Sequence, residues 1–262
     1  MTLERFRLDD KIAIISGAGR GIGAACAAAL ADVGADLVVG ARTDAQVAET
    51  VAAIEDRGRR GVGVVGDLAD RAGMEALVAT AIEAFGGVDL LVNNVGGAMP
   101  GAFLDTSERA FDAALRFNTT TAFNLTQLAV PSMLERGGGA IVNITSTAGH
   151  FPIRGMSAYG TAKAALVHLT RELAQDLAPR IRVNAVSPGA IATSALEIVT
   201  GSAELTEAMV AATPLRRLGE PADVAAAVLY LLSPAASYVT GEVVAVSGGI
   251  QGSNLELGLP DL

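Results

Sequence analysis

This sequence predicts a doubly wound α/β fold, one parallel sheet held between two layers of helices. Three observations lead there: short β-branched runs alternate with longer alanine-rich helical patterns, the runs are almost continuously apolar, and no linker divides the chain. A strand covered on both faces has no polar side to show, so its sequence does not alternate. With 262 residues and 51% apolar content, the chain can bury a sizeable core as one unit. We therefore read 1–262 as a single domain with a three-layer α/β/α arrangement.

Strands are expected at 12–16, 37–40, 62–66, 88–93, 140–145, 181–187 and 243–246. Helices are expected at 21–33, 44–57, 71–85, 108–135, 158–177 and 222–232, with Pro179 and Pro221 placed as helix punctuation. That alternation gives right-handed crossovers and helices on both faces. Segment 190–214 is the least regular long connection, and it follows a strand end where ligands collect. It is the expected lid over a substrate.

Composition excludes several partners. Net charge is -9 and the pI is near 4.7, with no Lys/Arg block, which argues against a nucleic-acid groove or an anionic membrane surface. The run 224–239 comes nearest to a membrane span, but Ser233-Pro234 divides it before about 20 apolar residues accumulate. The first residues, MTLERFRLDDK, mix acids and bases without an apolar core and do not read as a secretory signal. Cys26 is the single cysteine, so no disulfide within the chain is available, and a buried apolar filler is expected. Together these features predict a soluble protein in the cytoplasm.

The reactive groups lie in STAGHFPIRGMSAYGTAK, from Ser146 to Lys163. If a helix starts near Ser157, Tyr159 and Lys163 share one face four residues apart, with the ammonium beside the phenol. A cation there favours the phenolate and moves the tyrosine pKa from about 10 toward neutrality. A phenol so tuned exchanges a proton as a carbonyl becomes an alcohol, or the reverse. Ser146 ends a strand and is placed to donate a second hydrogen bond to the same oxygen.

Such chemistry needs a hydride source. The first strand runs into SGAGRGIG at 16–23, spaced Gly17-x-x-x-Gly21-Ile22-Gly23. A strand-to-helix turn of this kind leaves N–H groups free for a pyrophosphate, and only glycine lets the backbone approach closely. A bare turn is the alternative. The second strand ends in VVGAR, where an NAD-preferring site carries Asp or Glu for the ribose 2′-hydroxyl. Here Ala41 and Arg42 stand instead, with Arg20 in the glycine loop; two guanidinium groups and no carboxylate favour NADP(H), with NAD as the alternative. Two solvated surface arginines, with Arg42 paired to Asp44, are the bland reading.

Further strand ends continue the pattern. Asp67-Leu68 follows the third strand, where a carboxylate can accept from an adenine amino group. Asn93-Asn94-Val95-Gly96 follows the fourth. Asn118 falls inside 108–135, where asparagine is a poor helix former, which points to a local irregularity with a polar role. Pro188-Gly189 ends the sixth strand, and Ile191 and Thr193 follow closely enough to reach the nicotinamide end.

SGAGRGIG, Asp67, NNVG, Asn118, Ser146, Tyr159-Gly-Thr-Ala-Lys163 and Pro188-Gly189-Ala-Ile-Ala-Thr193 together resemble the short-chain dehydrogenase/reductase family. They stand in the family's order, with its thirteen-residue interval from Ser146 to Tyr159, and the likeness runs from Lys11 to about Gly249. The resemblance implies a Rossmann fold with seven parallel strands, a nicotinamide dinucleotide and a Ser/Tyr/Lys/Asn tetrad. It implies that Tyr159 transfers the proton, Ser146 orients the carbonyl, Lys163 holds the nicotinamide ribose and lowers the tyrosine pKa, and Asn118 positions a relay water. Ser16 where Thr is usual and Val95 where Ala is usual are departures; the larger Val95 is expected to crowd the cofactor wall.

PGAIATSAL, TPLRRLGEPADVA and LSPAASYVTG are similar to segments of the 7-alpha-hydroxysteroid dehydrogenase and 3-oxoacyl-acyl-carrier-protein reductase groups of that family. The steroid enzymes prefer NAD with an acidic residue at the second strand tip, which Ala41-Arg42 contradicts. The expected pocket wall, Gly97, Met99, His150, Phe151, Met156, Leu196 and Ile198, is mainly apolar and suits a hydrophobic ketone or secondary alcohol. His150 is expected to line that pocket or the surface, and His168 to be structural; two histidines without a carboxylate cluster predict no metal site. The resemblance further implies a homotetramer, the helices from 108 and 158 packing across one dyad and the final helix and strand across another. An enoyl reductase or an epimerase of the same fold is the alternative enzyme, and a nucleotide sensor without chemistry the alternative class.

Overall fold

A computed structural model of the chain describes residues 2–98, 100–196 and 201–254. Seven strands form one parallel sheet: β1 (Ile12–Ser16), β2 (Asp36–Ala41), β3 (Gly61–Val65), β4 (Leu90–Asn93), β5 (Gly139–Ile144), β6 (Ile181–Pro188) and β7 (Val243–Val246). Their order across the sheet is β3-β2-β1-β4-β5-β6-β7. The central strands are apolar on both faces, as expected of strands covered twice; all five residues of β1 are buried. The chain steps outward from β1 through β2 to β3, then returns to place β4 on the other side of β1. That reversal opens a crevice at the carboxyl ends of β1 and β4, where ligands of such sheets bind.

The helices divide between the faces. On one, α1 (Gly21–Asp32), α2 (Asp44–Glu55) and the last helix, here α8 (Pro221–Leu232), bury Cys26, Leu30, Val47, Ile54 and Val228 against the sheet. On the other, α3 (Arg71–Phe85), α5 (Thr121–Glu135) and α6 (Ser157–Leu177) bury Met74, Leu77, Leu125, Met133 and Leu173. Pro221 opens α8 at its first turn, where its missing N–H costs nothing, and Glu220 with Asp223 closes a capping box around it. Among the described residues no helix is long and apolar enough to cross a membrane.

Two segments differ from the sequence expectation. The stretch 108–135 is not one helix: α4 (Glu108–Leu115) passes into a π-helical turn, Arg116–Thr120, before α5 begins. The turn holds Asn118, where a backbone-seeking amide had pointed to an irregularity. In 190–214 a further helix, α7 (Ala203–Ala212), forms behind Ser202, whose side chain accepts from Leu205 N.

The β1–β4 junction is held by Asp89, which is 2% exposed. Its carboxylate accepts from Ile12 N at 2.9 Å and from Arg136 at 2.9 Å. Asp89→Ala leaves both donors without that partner, and urea unfolding is expected to show a loss of about 2 kcal/mol.

Candidate functional site

The carboxyl ends of β1 and β4 are stitched to each other by the residues that follow them. Ser16 Oγ donates to Val92 O at 3.3 Å and accepts from Asn94 N at 3.0 Å and Val95 N at 3.4 Å. Asn94 Nδ2 donates to Gly17 O at 2.9 Å, which ties the NNVG loop to the glycine loop. Ser16 therefore keeps the hydroxyl function that a threonine would supply. Val95 is partly buried and packs against the core cluster of α3 and α5, so its extra bulk faces the protein and not only the cofactor wall.

The glycine loop fits a pyrophosphate. Gly17 has φ +68°, and a Cβ on Gly23 would stand 2.4 Å from Gly17 O, so neither position tolerates a side chain. Arg20 occupies the N-cap of α1 without a side-chain cap bond, which leaves the first-turn N–H groups of Gly21, Ile22 and Gly23 to a ligand. Gly19 lies against Ala41, a Cβ at Gly19 falling 3.0 Å from Ala41 Cβ, so Arg20 and Arg42 flank one contact. Both arginines are exposed, and among the described residues neither has an ion pair or side-chain hydrogen bond; Arg42 does not pair with Asp44. Gln46, which sequence reasoning did not single out, packs on Gly19 from the first turn of α2.

Other predicted contacts divide. Asp67 is exposed beyond β3 with Oδ1 accepting from Ala69 N at 2.9 Å, whereas Leu68 is buried against α3. As the last residue of β4, Asn93 turns its side chain into the core, 3% exposed, and donates to Thr126 and Asn143. Only its backbone is left to face a ligand, and Asn94, one residue on, does the loop work. Pro188 closes β6, Gly189 lies against Ser247, and Ile191 is buried where it bridges to Gly219. Thr193 reaches back to the glycine loop, its methyl 3.2 Å from a Cβ built on Gly21.

At the other end of the crevice Asn118, Ser146, Tyr159 and Lys163 come together. A Cβ on Gly96 would stand 2.7 Å from Asn118 Oδ1 and 2.8 Å from Lys163 Nζ, so glycine alone lets these two meet there. Asn118 is fully buried; Oδ1 accepts from Gly97 N at 3.0 Å, and Nδ2 donates to Gly97 O at 3.1 Å and Ala114 O at 3.0 Å. Both amide protons are thus used on the backbone, and the side chain holds the loop at Gly97. Lys163 is 3% exposed; its Nζ donates to Ile144 O at 2.9 Å and lies 5.9 Å from the centre of the Tyr159 ring.

The electrostatics differ from the sequence expectation in one respect. Burial pushes the Tyr159 phenol above its ordinary value, and the hydrogen bond with Ser146 draws it back by less. Lys163 is itself desolvated, with its pKa down to about 8, and its Nζ is hydrogen-bonded to Ile144 O. Ser146, N-cap of the turn Thr147–Gly149, accepts from Ala148 N at 3.2 Å and stands beside the phenol.

The apolar wall divides as well. His150, Phe151 and Met156 line a cleft of about 500 Å³ with Phe103, Pro152 and Ile153, but neither Tyr159 nor Ser146 lines it. Met99 and Ile198 lie outside the described residues. His168 is an exposed partner of Glu172 at 3.0 Å on α6. Among the described residues no three His, Cys, Asp or Glu side chains gather.

A family model described as Enoyl-(Acyl carrier protein) reductase matches residues 17–251. An uncharacterised oxidoreductase of Mycobacterium tuberculosis is 52% identical over 263 residues, covering 100% of both chains. A solved 7 alpha-hydroxysteroid dehydrogenase complexed with NADH and 7-oxo glycochenodeoxycholic acid superposes with TM-score 0.90 at 42% identity, over 94% of this chain and 96% of that one. A gluconate 5-dehydrogenase from Burkholderia cenocepacia, in complex with NADP and tartrate, gives TM-score 0.89 at 30% identity, over 95% and 98%.

Two outcomes test this geometry. Gly96→Ala is expected to displace Lys163 and abolish turnover while the protein stays folded by circular dichroism. The pKa of Lys163, about 8 folded against 10.5 ordinarily, means that the folded state binds this proton more weakly than the unfolded one. Stability contributed by this site therefore falls as pH drops from 10.5 to 8 and stays reduced below, by about 3 kcal/mol. Lys163→Met should raise the melting temperature at pH 7, and the gain should shrink as pH rises toward 10.5.

Proposed function

The chain belongs to the short-chain dehydrogenase/reductase family and is an oxidoreductase; from that premise we propose that it uses NADP(H) to interconvert a ketone and a secondary alcohol on a fairly apolar substrate. The observation that carries this reading is the pairing of the Ser146 and Tyr159 hydroxyls beside a buried ammonium. Two hydroxyls facing one point suit a single oxygen that changes from acceptor to alcohol.

Bound cofactor supplies or accepts the hydride at its nicotinamide ring. The chain's own residues do the rest. Gly17, Gly21, Ile22 and Gly23 hold the pyrophosphate, Arg20 and Arg42 the 2′-phosphate, and Asp67 and Leu68 the adenine end. Asn93 and Val95 through their backbone, with Gly96, Pro188, Gly189, Ile191 and Thr193, flank the nicotinamide; Lys163 binds its ribose. Ser146 Oγ orients the carbonyl oxygen, and Tyr159 Oη gives up its proton as the alcohol forms. With its pKa held up by burial, the phenol is protonated at pH 7 and ready to act as the acid. Asn118 keeps the Gly97 loop and a relay water in place.

We further propose a cytoplasmic protein of one domain with a substrate lid at 190–214. A homotetramer is supported by apolar side chains that α5 leaves exposed, Phe123 and Leu134. The description attached to the matching family favours an enoyl reductase as second reading. An epimerase has no such support, and a nucleotide sensor would need neither Ser146 nor Tyr159.

NADPH oxidation measured over ketones, quinones, oxoacyl thioesters and enoyl thioesters should show turnover with a ketone; turnover of the enoyl thioester alone would overturn the carbonyl assignment. Tyr159→Phe should lower kcat by about 10³ with NADPH affinity intact. NADPH should bind at least about tenfold more tightly than NADH, one charge-assisted contact being worth that much. Arg42→Asp should reverse the order, and tighter NADH binding by the natural chain contradicts the assignment.

A further inference from the structure

Asn118 and Lys163 come from different parts of the chain, yet both reach Gly96, where a Cβ would stand 2.7 Å from Asn118 Oδ1 and 2.8 Å from Lys163 Nζ. Apolar packing of α5 and α6 on the sheet is non-directional and does not by itself fix their register. Two hydrogen-bonded ties span the junction. The direct one starts next to Asn118: Thr119 Oγ1 donates at 2.7 Å to the carbonyl of Ala162, the residue before Lys163.

The second tie runs through the sheet. Asn93 Nδ2 donates to Thr126 Oγ1 on α5 at 3.0 Å and to Asn143 Oδ1 on β5 at 2.8 Å. Asn143 Nδ2 donates to Thr170 Oγ1 on α6 at 2.9 Å, and Thr170 Oγ1 donates to Leu166 O at 2.8 Å. All four side chains are 3% exposed or less. From Asn93 to Leu166 the donors point one way, so breaking a link strands a buried partner with no water to replace it. The tie ends on the backbone of α6 one turn after Lys163.

We propose that Thr119 and Thr170 are positioning residues for the reaction: they lock α6 to the π-turn and to β5, so that Lys163 stays on Ile144 O and beside Asn118. Neither touches the reacting atoms, and the proposal rests on the oxidoreductase reading above. Threonine is required for its hydroxyl and not its shape. Thr170 accepts from one neighbour and donates to another, and valine of the same outline does neither.

The test compares Thr119→Val, Thr170→Val and their double variant with Thr119→Ser and Thr170→Ser, in steady-state kinetics and in crystal structures. The double valine variant should lose about tenfold or more in kcat with NADPH affinity unchanged, as a small misplacement of reacting groups does. Lys163 Nζ should be displaced from Ile144 O, and the serine variants should recover both activity and position. Natural kcat with Lys163 in place, or serine variants no better than valine, overturns the proposal. If the double variant does not fold, the single valine variants carry the same comparison. Should the unaltered protein reduce no carbonyl compound, the functional reading fails, and the position of Lys163 in the crystals still decides the positioning claim.

Discussion

A buried ammonium is the constraint from which the rest of this structure follows. Lys163 gives up most of its hydration, and its pKa falls accordingly. What offsets the cost is local: the carbonyl of Ile144, freed where β5 ends, and the open face of Gly96. For that carbonyl to be there, β5 must stop at Ile144 and α6 must begin at Ser157, one turn and a loop later. The same placement sets Tyr159 beside Ser146. The apolar sheet and its two helix layers supply the stability against which such a site can be maintained.

The cofactor end obeys a different logic. In a chain of net charge -9, an anionic dinucleotide is held by local groups and not by the overall field. The uncapped start of α1 offers N–H groups, and Arg20 and Arg42 flank the contact of Gly19 with Ala41, without anionic partners among the described residues. The relatives of known structure include one with NADH and one with NADP. No carboxylate stands at Ala41 or Arg42 to repel a 2′-phosphate.

The sheet was legible because every strand is covered twice, and continuous apolar runs such as IAIIS at β1 mark themselves. Tyr159 and Lys163 were legible because helical spacing alone puts them on one face. Asn118 announced its irregular turn through its poor fit to a helix, but the π-turn itself is set by the tertiary bonds to Gly97 and Ala114. The orientation of Asn93 was not legible, because a strand end gives no sign of which of two adjacent asparagines turns inward; the partners Thr126 and Asn143 decide it. The tyrosine pKa was misjudged for a related reason. Spacing reveals a nearby charge but not desolvation, which here is the larger effect on both groups. The cleft beside His150 shows the same limit, since neighbours of Ser146 in sequence line it with Phe103 while Ser146 and Tyr159 do not.

The central claim is that Ser146 and Tyr159 share one substrate oxygen. A crystal structure of the protein with NADP⁺ and a secondary alcohol that it oxidises tests this most directly. The account predicts the alcohol oxygen within about 3 Å of both Ser146 Oγ and Tyr159 Oη. An alcohol oxygen bound to other groups, with the Tyr159 phenol turned into the core, would contradict it.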